Sequence, residues 1–574
     1  MKKAKRFVVF LFSFLFPLFC LIGIEPNTSI RAGMVKRAND EAFALRIGME
    51  ANYSPFNYTE TENDPDNNVP IQGQSGQYAA GYDVSVAKFI AEDNNWNLEI
   101  VRLEWDALIP SVNSGTINAI IAGMSDTEER RQSIDFTDPY YTSELVIIAR
   151  ANDDDFQDNF NPTNATDKSF VTQAGTVEDD IAISWASEYG IQRNNPTTDY
   201  PSAFEMVVNH LADAVICEYP VATAMMASYP TLKMVTVDTS SVSSTFIQQL
   251  SVSIGIAKGD PDNIIDSINA SLAKLDEDDR RQYMDAAIER SQTNSEVEES
   301  GENRILYLLR TYGIDFAYGT LTTLILAVVG TLVGLIIGIF VGQVRNLKIR
   351  REDSLIIKGV KATGKFLAYI YETFFRGTPM MIQAMILFLL GPAIGITWTD
   401  MSLAGDIGRI FNGYMLCGLI VICINTGAYM TEIVKSGMNG VDKGQEEAAR
   451  SLGLSKTRTL FGVTLPQALK NCLPTIGNEF IVNIKDSSVL NVIGLTELYM
   501  TASIATNTNY FTIEGYIIIC VIYLLLVLVS SFILKLIENK MNINSEFNIF
   551  GFRRRPKKSL SLLTAGLKEE KADE

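Results

Sequence analysis

The pattern of hydrophobic and polar residues divides this chain near residue 300. Between about residues 44 and 290, short apolar runs such as ALRIGME and INAIIAG alternate with amphipathic stretches such as GYDVSVAKFIAED. Strands that alternate with helices of this length predict parallel sheets with helices on their faces, an α/β fold. Residues 59–77 are polar and rich in glycine, proline and asparagine, so we expect an exposed loop there.

The second part of the chain contains long uncharged stretches. Four of them are long enough, at about 20 residues, to cross a bilayer as helices: residues 316–344, 377–399, 410–431 and 515–534. A fifth apolar segment, 475–494, contains Lys485 and Asp486. We therefore predict an all-α membrane domain with about five helices. Because charges are costly inside a bilayer, these two residues are expected to line a translocation pathway or to form a structural ion pair at a subunit interface.

The flanking segments predict how the chain sits in the membrane. Basic residues precede an apolar run at the N-terminus, which predicts a signal peptide or N-terminal membrane anchor over residues 1–34. Residues 291–304 form an acidic linker, and residues 345–365 form a short basic loop, which is typical of the cytoplasmic side. We therefore predict a multi-pass plasma-membrane protein with its α/β domain outside the cell and its charged tail, 541–574, inside.

Charge and composition exclude several classes of function. The net charge of −19 argues against nucleic-acid binding, and a single His with no metal-ligand spacing argues against a metal site. Residues 359–366, GVKATGKF, resemble a phosphate-binding P-loop, but Phe366 replaces the Ser or Thr that would hold magnesium. We therefore expect no nucleotide-binding region and no cofactor bound by this chain.

Five segments of the α/β region are specific when taken together and in order. They are IGMEANYSPFNY, GYDVSVAKFIA, EWDALIPSVNSGTINAIIAGMSDTEERRQSIDFTDPYY, TQAGTVED and ADAVICEYP. In this order they resemble the periplasmic amino-acid-binding proteins of ABC importers, over most of 44–290. The resemblance implies a two-lobed, type II binding-protein fold: lobe I covers about 44–142 and 249–290, and lobe II about 143–248. It also implies closure about hinges near Tyr140–Ser143 and Gln248–Ser251.

An amino acid is a zwitterion, so a buried one needs both a cationic and an anionic partner. Arg130 can bind the α-carboxylate with both arms of its guanidinium. The resemblance adds main-chain N–H groups near Ser125 and Thr176, the latter at a helix N-terminus. It places Glu218 at the α-ammonium, where the family has Asp, beside the Gly123 carbonyl and the Ser125 hydroxyl. The extra methylene of Glu218 implies wider-set lobes or a shallower ligand; the alternative is a solvated acid at a strand end.

The side chain of the ligand is expected to meet two aromatic residues and an acid. By the resemblance, Tyr53 and Trp105 enclose it, although a plain packing role for these rings stays open. Glu50 follows the first strand, where relatives carry an acid that contacts the side chain. An acid with two aromatic rings suits a cation or an amide. We therefore expect arginine, lysine or histidine as the ligand, with glutamine the next choice.

The segment GQEEAARSLGLSKTRTLFGVTLPQAL, residues 444–469, predicts a short amphipathic helix, a glycine stop and a second helix with a proline. It resembles the cytoplasmic coupling loop of ABC-importer permeases, which spans 441–470 here within a permease domain over 305–540. The matching residues are Glu447, Ala448, Ala449, Gly453, Leu465 and Pro466. The resemblance implies a separate ATPase subunit that binds ATP and magnesium, so this chain itself is not expected to be an enzyme.

Together these resemblances imply the substrate-binding and permease component of an ABC importer for polar amino acids, fused in one chain. ABC permeases work in pairs, so a homodimer is the simplest assembly. The alternative is an amino-acid-gated channel or a sensory receptor that uses the same binding domain. A channel needs a pore loop and a sensor needs a kinase or cyclase domain, and the coupling loop would have no role in either.

Overall fold

In the residues that the structure describes, the strands all lie in the first half of the chain. The computed structural model describes residues 43–197, 199–226, 228–291, 303–403 and 405–541. The predicted signal or anchor, nearly all of the linker and nearly all of the tail lie outside the described residues. The strands are β1 (Ala44–Met49), β2 (Tyr58–Glu60), β3 (Asn68–Pro70), β4 (Tyr78–Ala80), β5 (Asn97–Arg102), β6 (Ala119–Ile120), β7 (Ile134–Thr142), β8 (Leu145–Arg150), β9 (Ser169–Val171), β10 (Gln192–Arg193), β11 (Ala214–Glu218), β12 (Leu232–Thr236) and β13 (Ser251–Ala257).

Two five-stranded sheets form the cores of two lobes. The lobe I sheet has the order β5-β1-β6-β13-β7, and the lobe II sheet has the order β10-β9-β11-β8-β12. In lobe I, β1 lies between β5 and β6 and is parallel to both. Its residues Leu45, Ile47 and Met49 are fully buried. The predicted α/β fold is confirmed, but the expectation of parallel sheets is only half right. In lobe I, β13 pairs antiparallel with β6 and β7, and in lobe II, β8 pairs antiparallel with β11 and β12.

Helices cover these sheets. They are α1 (Tyr82–Asp93), α2 (Trp105–Ser114), α3 (Glu128–Arg131), α4 (Val177–Tyr189), α5 (Tyr200–Val208), α6 (Tyr219–Met226), α7 (Ser244–Gln249), α8 (Ile265–Leu272) and α9 (Glu277–Ser291). The chain crosses between lobes where β7 ends and β8 begins, and it returns through β13. The backbone N–H of Ser143 donates to the carbonyl of Leu250 at 3.1 Å, so the two connections lie side by side. These are the positions that the sequence predicted for the hinge.

The expectation of an exposed loop over residues 59–77 holds only for about 61–67 and is wrong for the rest. Strands β2 and β3 both pair with β4 in a third sheet. Asn68 is 2% exposed and donates to the Glu60 carboxylate at 2.7 Å, and Arg290 from α9 binds the same carboxylate at 2.6 Å. Polar residues can be buried when their hydrogen bonds are satisfied in this way. Composition alone could not reveal these partners.

The membrane domain consists of helices. They are α10 (Arg304–Arg345), α11 (Leu355–Gly377), α12 (Met380–Ile394), α13 (Gly413–Asn439), α14 (Lys443–Ser451), α15 (Lys456–Thr459), α16 (Leu465–Asp486), α17 (Leu498–Asn509) and α18 (Thr512–Lys540). In the described part of the chain, α10, α13 and α18 are long and apolar enough to cross a membrane. Two further pairs of helices, bent by 108° and 56°, raise the number of spans to as many as five.

The basic segment over 345–365 is mostly helix rather than loop. Helix α11 begins at Leu355, and the Ser354 hydroxyl caps it by accepting from the backbone N–H of Ile357 at 3.4 Å. The P-loop-like residues 359–366 lie inside this helix, so they form no phosphate-binding loop. The helix ends before Thr378, because a residue that precedes a proline disfavours helical geometry. The second predicted span, 377–399, therefore starts at a sharp bend.

The binding domain contacts one end of the membrane domain. The side-chain amide of Gln74 donates to the carbonyl of Gly494 at 2.8 Å and accepts from the Thr496 hydroxyl at 2.9 Å. Arg102, fully buried, also donates to Thr496. Gly494 has a φ of +82°, and a Cβ there would lie 2.6 Å from the Arg102 carbonyl oxygen, so only glycine fits. These contacts lie beside Tyr414 at the start of α13, whereas the predicted coupling segment follows its other end.

Candidate ligand-binding cleft and coupling segment

One cleft between the two lobes is lined by all eight residues that were predicted to bind ligand. They are Glu50, Tyr53, Trp105, Gly123, Ser125, Arg130, Thr176 and Glu218. Topology explains why residues so far apart in sequence meet. Glu50 directly follows β1, Glu218 ends β11, and Thr176 precedes α4. Carboxyl ends of strands and amino ends of helices converge where ligands bind in open α/β sheets.

The guanidinium of Arg130 joins the two lobes across the cleft. One arm donates to the carbonyl of Ser125 at 2.8 Å, and the other donates to the carbonyl of Gly175 at 3.0 Å. Its central carbon lies 5.3 Å from the centre of the Trp105 ring, within cation–π range. Burial lowers the pKa of Arg130, but arginine stays charged in proteins. The cleft therefore holds a fixed positive charge.

The N-terminus of α4 lies at the same cleft. Thr176 caps this helix, because its hydroxyl accepts from the backbone N–H of Asp179 at 3.4 Å. The first N–H groups of a helix have no partner within the helix, and they attract anions. The predicted helix start at Thr176 is confirmed. Together with Arg130 it makes this part of the cleft suited to a carboxylate.

Glu218 lies buried in the cleft with one oxygen unpaired. The residue is 4% exposed, and its Oε2 atom has no hydrogen-bond partner among the described residues. Burial and the nearby Glu178 raise the pKa of Glu218 well above its ordinary value. A buried, unpaired acceptor is costly, and an ammonium group would satisfy it. The alternative of a solvated acid at a strand end is therefore wrong.

Aromatic rings form one wall of the cleft. The ring of Tyr53 stacks on Phe56 at 5.2 Å and on Tyr200 at 6.1 Å between centroids. Gly123 has a φ of +61°, and a Cβ there would lie 2.8 Å from the Tyr53 ring. Glycine is therefore needed at position 123, both for its backbone conformation and to let the ring approach.

Glu50 lies at the side of the cleft that faces the membrane domain. Burial and the neighbouring acids Glu104, Asp106 and Asp199 raise the pKa of Glu50 to about 8. A cation placed beside this carboxyl would favour its charged form. The site is therefore suited to a positively charged side chain.

Sequence reasoning missed other residues of the cleft. Gln173 and Glu178 also line it, and Glu178 is only 3% exposed. In the sequence, Glu178 looked like an ordinary acid in the first turn of a helix, so it gave no signal of its own. Burial raises the pKa of Glu178, while Thr176, Tyr200 and Arg130 counter that rise.

A buried network around Asp83 supports the cleft from behind. The Asp83 carboxylate accepts from the Tyr140 hydroxyl at 2.7 Å and from the Asn57 amide at 2.8 Å. Tyr140 in turn accepts from the backbone N–H of Gly123 at 3.1 Å, and Asn57 accepts from the N–H of Ala51 at 2.8 Å. Burial raises the pKa of Asp83 to about 6. The network fixes two backbone segments that carry cleft residues.

The coupling segment is an exposed helical hairpin. Helix α14 ends in a Schellman motif: the N–H of Leu454 donates to the carbonyl of Ala449 at 3.2 Å, and that of Gly453 to Arg450 at 3.0 Å. Gly453 has a φ of +87°, as the predicted glycine stop requires. Leu452, at the tip, is 85% exposed.

The six predicted coupling residues divide by burial. Glu447, Ala448, Gly453 and Pro466 are exposed, whereas Ala449 and Leu465 are buried. Leu465 packs against Val434 and Met438 of α13 and so holds the hairpin to the membrane domain. The exposed residues lie on the outer face of the hairpin. In α16, Lys485 and Asp486 are both exposed in the single chain, which fits either predicted role.

Comparisons with known proteins agree with this two-part structure. Residues 45–287 match the family of bacterial extracellular solute-binding proteins, family 3. Residues 355–543 match the family of binding-protein-dependent transport system inner membrane components. A putative glutamine transport system permease protein of Rickettsia conorii is 34% identical over 240 residues, which is 42% of this chain and 99% of that protein. The chain belongs to the amino-acid ABC importers, as a solute-binding domain fused to a permease.

Other relatives of the importer are similar in the permease half. The arginine transport system permease protein of Bacillus subtilis is 35% identical over 184 residues, 31% of this chain and 76% of that protein.

Among solved structures, an arginine-bound amino-acid substrate-binding protein of Streptococcus pneumoniae is 21% identical, with a TM-score of 0.35 over 43% of this chain and 94% of that chain. The two family matches, one in each half of the chain, confirm the predicted fusion of receptor and permease.

Proposed function

We propose that the importer takes up a cationic L-amino acid, arginine, lysine or histidine, or else glutamine. The observation that carries this proposal is the buried Glu218, whose Oε2 atom has no partner, in the same cleft as Arg130. Arg130 and the N-terminus of α4 would bind the α-carboxylate, and Glu218 would bind the α-ammonium. Glu50, Tyr53 and Trp105 would surround the side chain.

The choice among amino acids rests on the side-chain end of the cleft. The raised pKa of Glu50 shows that this side of the cleft already disfavours negative charge, so the acidic side chain of glutamate or aspartate would be disfavoured there too. A guanidinium or ammonium would be attracted to Glu50, and an amide N–H₂ could donate to it. The names of two relatives, a glutamine permease and an arginine permease, support the same short set of ligands.

We further propose that a separate ATPase subunit docks on the coupling segment and that two permease domains pair as a homodimer. The exposed tip at Leu452, fixed by the cap at Gly453, supports the first point. The binding domain and the coupling segment lie at opposite ends of α13, which supports a binding domain outside the cell and a cytoplasmic coupling segment. ATP and magnesium would bind to the ATPase.

The substrate is tested by calorimetric titration of the full-length chain in detergent against each common L-amino acid. We expect one cationic amino acid or glutamine to bind, with affinity lost in Arg130→Ala. Arg131→Ala is the matched control, because Arg131 is exposed and pairs with Asp126 instead. Binding of an acidic amino acid, or of no amino acid by a well-folded protein, would contradict the proposal.

A further inference from the structure

A second cavity lies where the binding domain meets the permease. It encloses about 640 Å³, part of it open to solvent, and it shares Glu50, Tyr53 and Gln173 with the ligand cleft. The two spaces are therefore neighbours with a common wall. If the α-carboxylate and α-ammonium of a ligand lie in the cleft, this cavity lies next to them, on the side of Glu50.

The wall from the binding domain is acidic. Glu50, Glu104 and Asp199 line the cavity, and none of its described lining residues is Lys, Arg or His. Burial and Asp106 raise the pKa of Glu104 to about 7, while Arg102 on its other side opposes that rise. These carboxyls lie close enough to raise the pKa of Glu50 as well, so a cation in the cavity would relieve their repulsion.

The wall from the permease is polar and uncharged. Asn491, Tyr499, Ser503, Asn507 and Tyr510 line it. Two of the contacts that cross the junction lie at this cavity: the Asn491 amide donates to Glu104 at 3.3 Å, and the Asn52 amide donates to the Ser503 hydroxyl at 3.2 Å. The permease thus contributes hydrogen-bonding groups to a space that also contains the carboxyls of the binding domain.

One buried polar atom in the wall of this cavity, the carbonyl oxygen of the Asn52 side chain, has no hydrogen-bond partner among the described residues. The nearby hydroxyls of Ser54 and Tyr510, in side chains that are 7% and 3% exposed, interact with each other instead. Buried polar groups are normally paired, so an unpaired one that lines a cavity indicates a polar occupant. This observation is independent of the acidic wall.

We propose that this junction cavity receives the cationic side chain of the transported amino acid, so that Glu104 and the permease residues help to select the ligand. The proposal rests on the proposed function, because it needs a cationic substrate in the cleft. Residues outside the cleft would then also determine which amino acid the importer binds. A guanidinium or ammonium is the group that carboxyls, amides and hydroxyls can bind together.

The test measures arginine and glutamine affinities of the full-length chain with Glu104→Gln. A charged hydrogen bond lost from a buried site lowers affinity by about 10-fold or more, so arginine should weaken by that factor. Glutamine, which is uncharged and shorter, should stay within about twofold. Glu92→Gln, an exposed acid at the end of α1, is the charge-matched control and should change neither affinity.

A second variant approaches the cavity from the permease side. Ser503→Leu fills space at the junction. We expect it to lower the affinity for arginine more than the affinity for the shorter L-ornithine. Arginine binding that is unchanged in both Glu104→Gln and Ser503→Leu overturns the cavity proposal and leaves the cleft intact. If the wild type binds no cationic amino acid, the cationic substrate itself is wrong, and the cavity proposal falls with it. Should Glu104→Gln fail to fold, Ser503→Leu decides.

Discussion

In the ligand cleft two acidic side chains are buried, whereas in the coupling segment the apolar side chain at the tip is exposed. Glu218 and Glu178 are nearly inaccessible, and Leu452 is 85% exposed. A small zwitterion must be stripped of water, so its site needs buried partners of both charges. A protein partner brings its own apolar surface, so its site needs a fixed, exposed one. The cleft should therefore respond to changes of charge and pH, and the coupling segment to changes of apolar shape.

The largest effect is expected when the cation of the cleft, Arg130, is removed. Arg130→Ala leaves the ligand carboxylate unpaired in the cleft, which costs about 3–5 kcal/mol, or roughly 100- to 4,000-fold in affinity. Titration of the full-length chain measures it. Arg131→Ala should bind as the wild type does, and an equal loss in both variants would point to general damage to α3 instead.

The ammonium partner should have the next largest effect. Glu218→Gln keeps the shape of the side chain but removes its charge, so affinity should fall by about 10- to 100-fold. Because the pKa of Glu218 is raised in the empty cleft, binding of an ammonium should also release protons. Calorimetry in buffers of different ionisation enthalpy detects this release. Unchanged affinity in Glu218→Gln would refute the assignment.

The coupling segment should show the opposite behaviour. Leu452→Ser removes an apolar tip whose burial against the proposed ATPase subunit would contribute about 1.5–3 kcal/mol. Uptake by cells that also express the ATPase should fall while ligand affinity stays the same. Leu211→Ser is the matched control, since Leu211 is 67% exposed but lies in the binding domain. If Leu452→Ser leaves uptake intact, this tip is not the docking point.

A further effect is expected in the pH dependence of stability. Glu50 and Asp83 have raised pKa values of about 8 and about 6, so the folded state holds more protons than the unfolded state between about pH 4 and pH 8. Stability without ligand should therefore fall as pH rises through this window. Three of the four tryptophans lie in the binding domain, so their fluorescence can follow its unfolding. Glu50→Gln should reduce the slope, and an unchanged slope would contradict this assignment.

Some features of the molecule depend on neighbouring residues and others on distant ones, and this difference explains which of them could be predicted from the sequence. Arg130, Glu218 and the glycine stop at Gly453 lie in local motifs, so their surroundings could be predicted from neighbouring residues. Glu178 resembles an ordinary helix-start acid, and Gln74 lies in a segment whose composition is that of a loop. Their burial depends on partners far away in the chain, such as Arg130 for Glu178 and Gly494 for Gln74. The helix over 355–365 was missed because its basic composition suggested a loop. The bend before α12 was missed although Pro379 could have signalled it.

The central claim is that the cleft holds both charged ends of one amino acid. The most direct test compares the bound amino acid with its decarboxylated analogue in the wild type, Arg130→Ala and Glu218→Gln. We expect Arg130→Ala to lower the affinity for the amino acid strongly. The affinity for the analogue should hardly change, because the analogue has no carboxylate for Arg130 to bind. Glu218→Gln should weaken both. An equal loss for both ligands in Arg130→Ala would show that Arg130 does not bind the carboxylate, and it would contradict the claim.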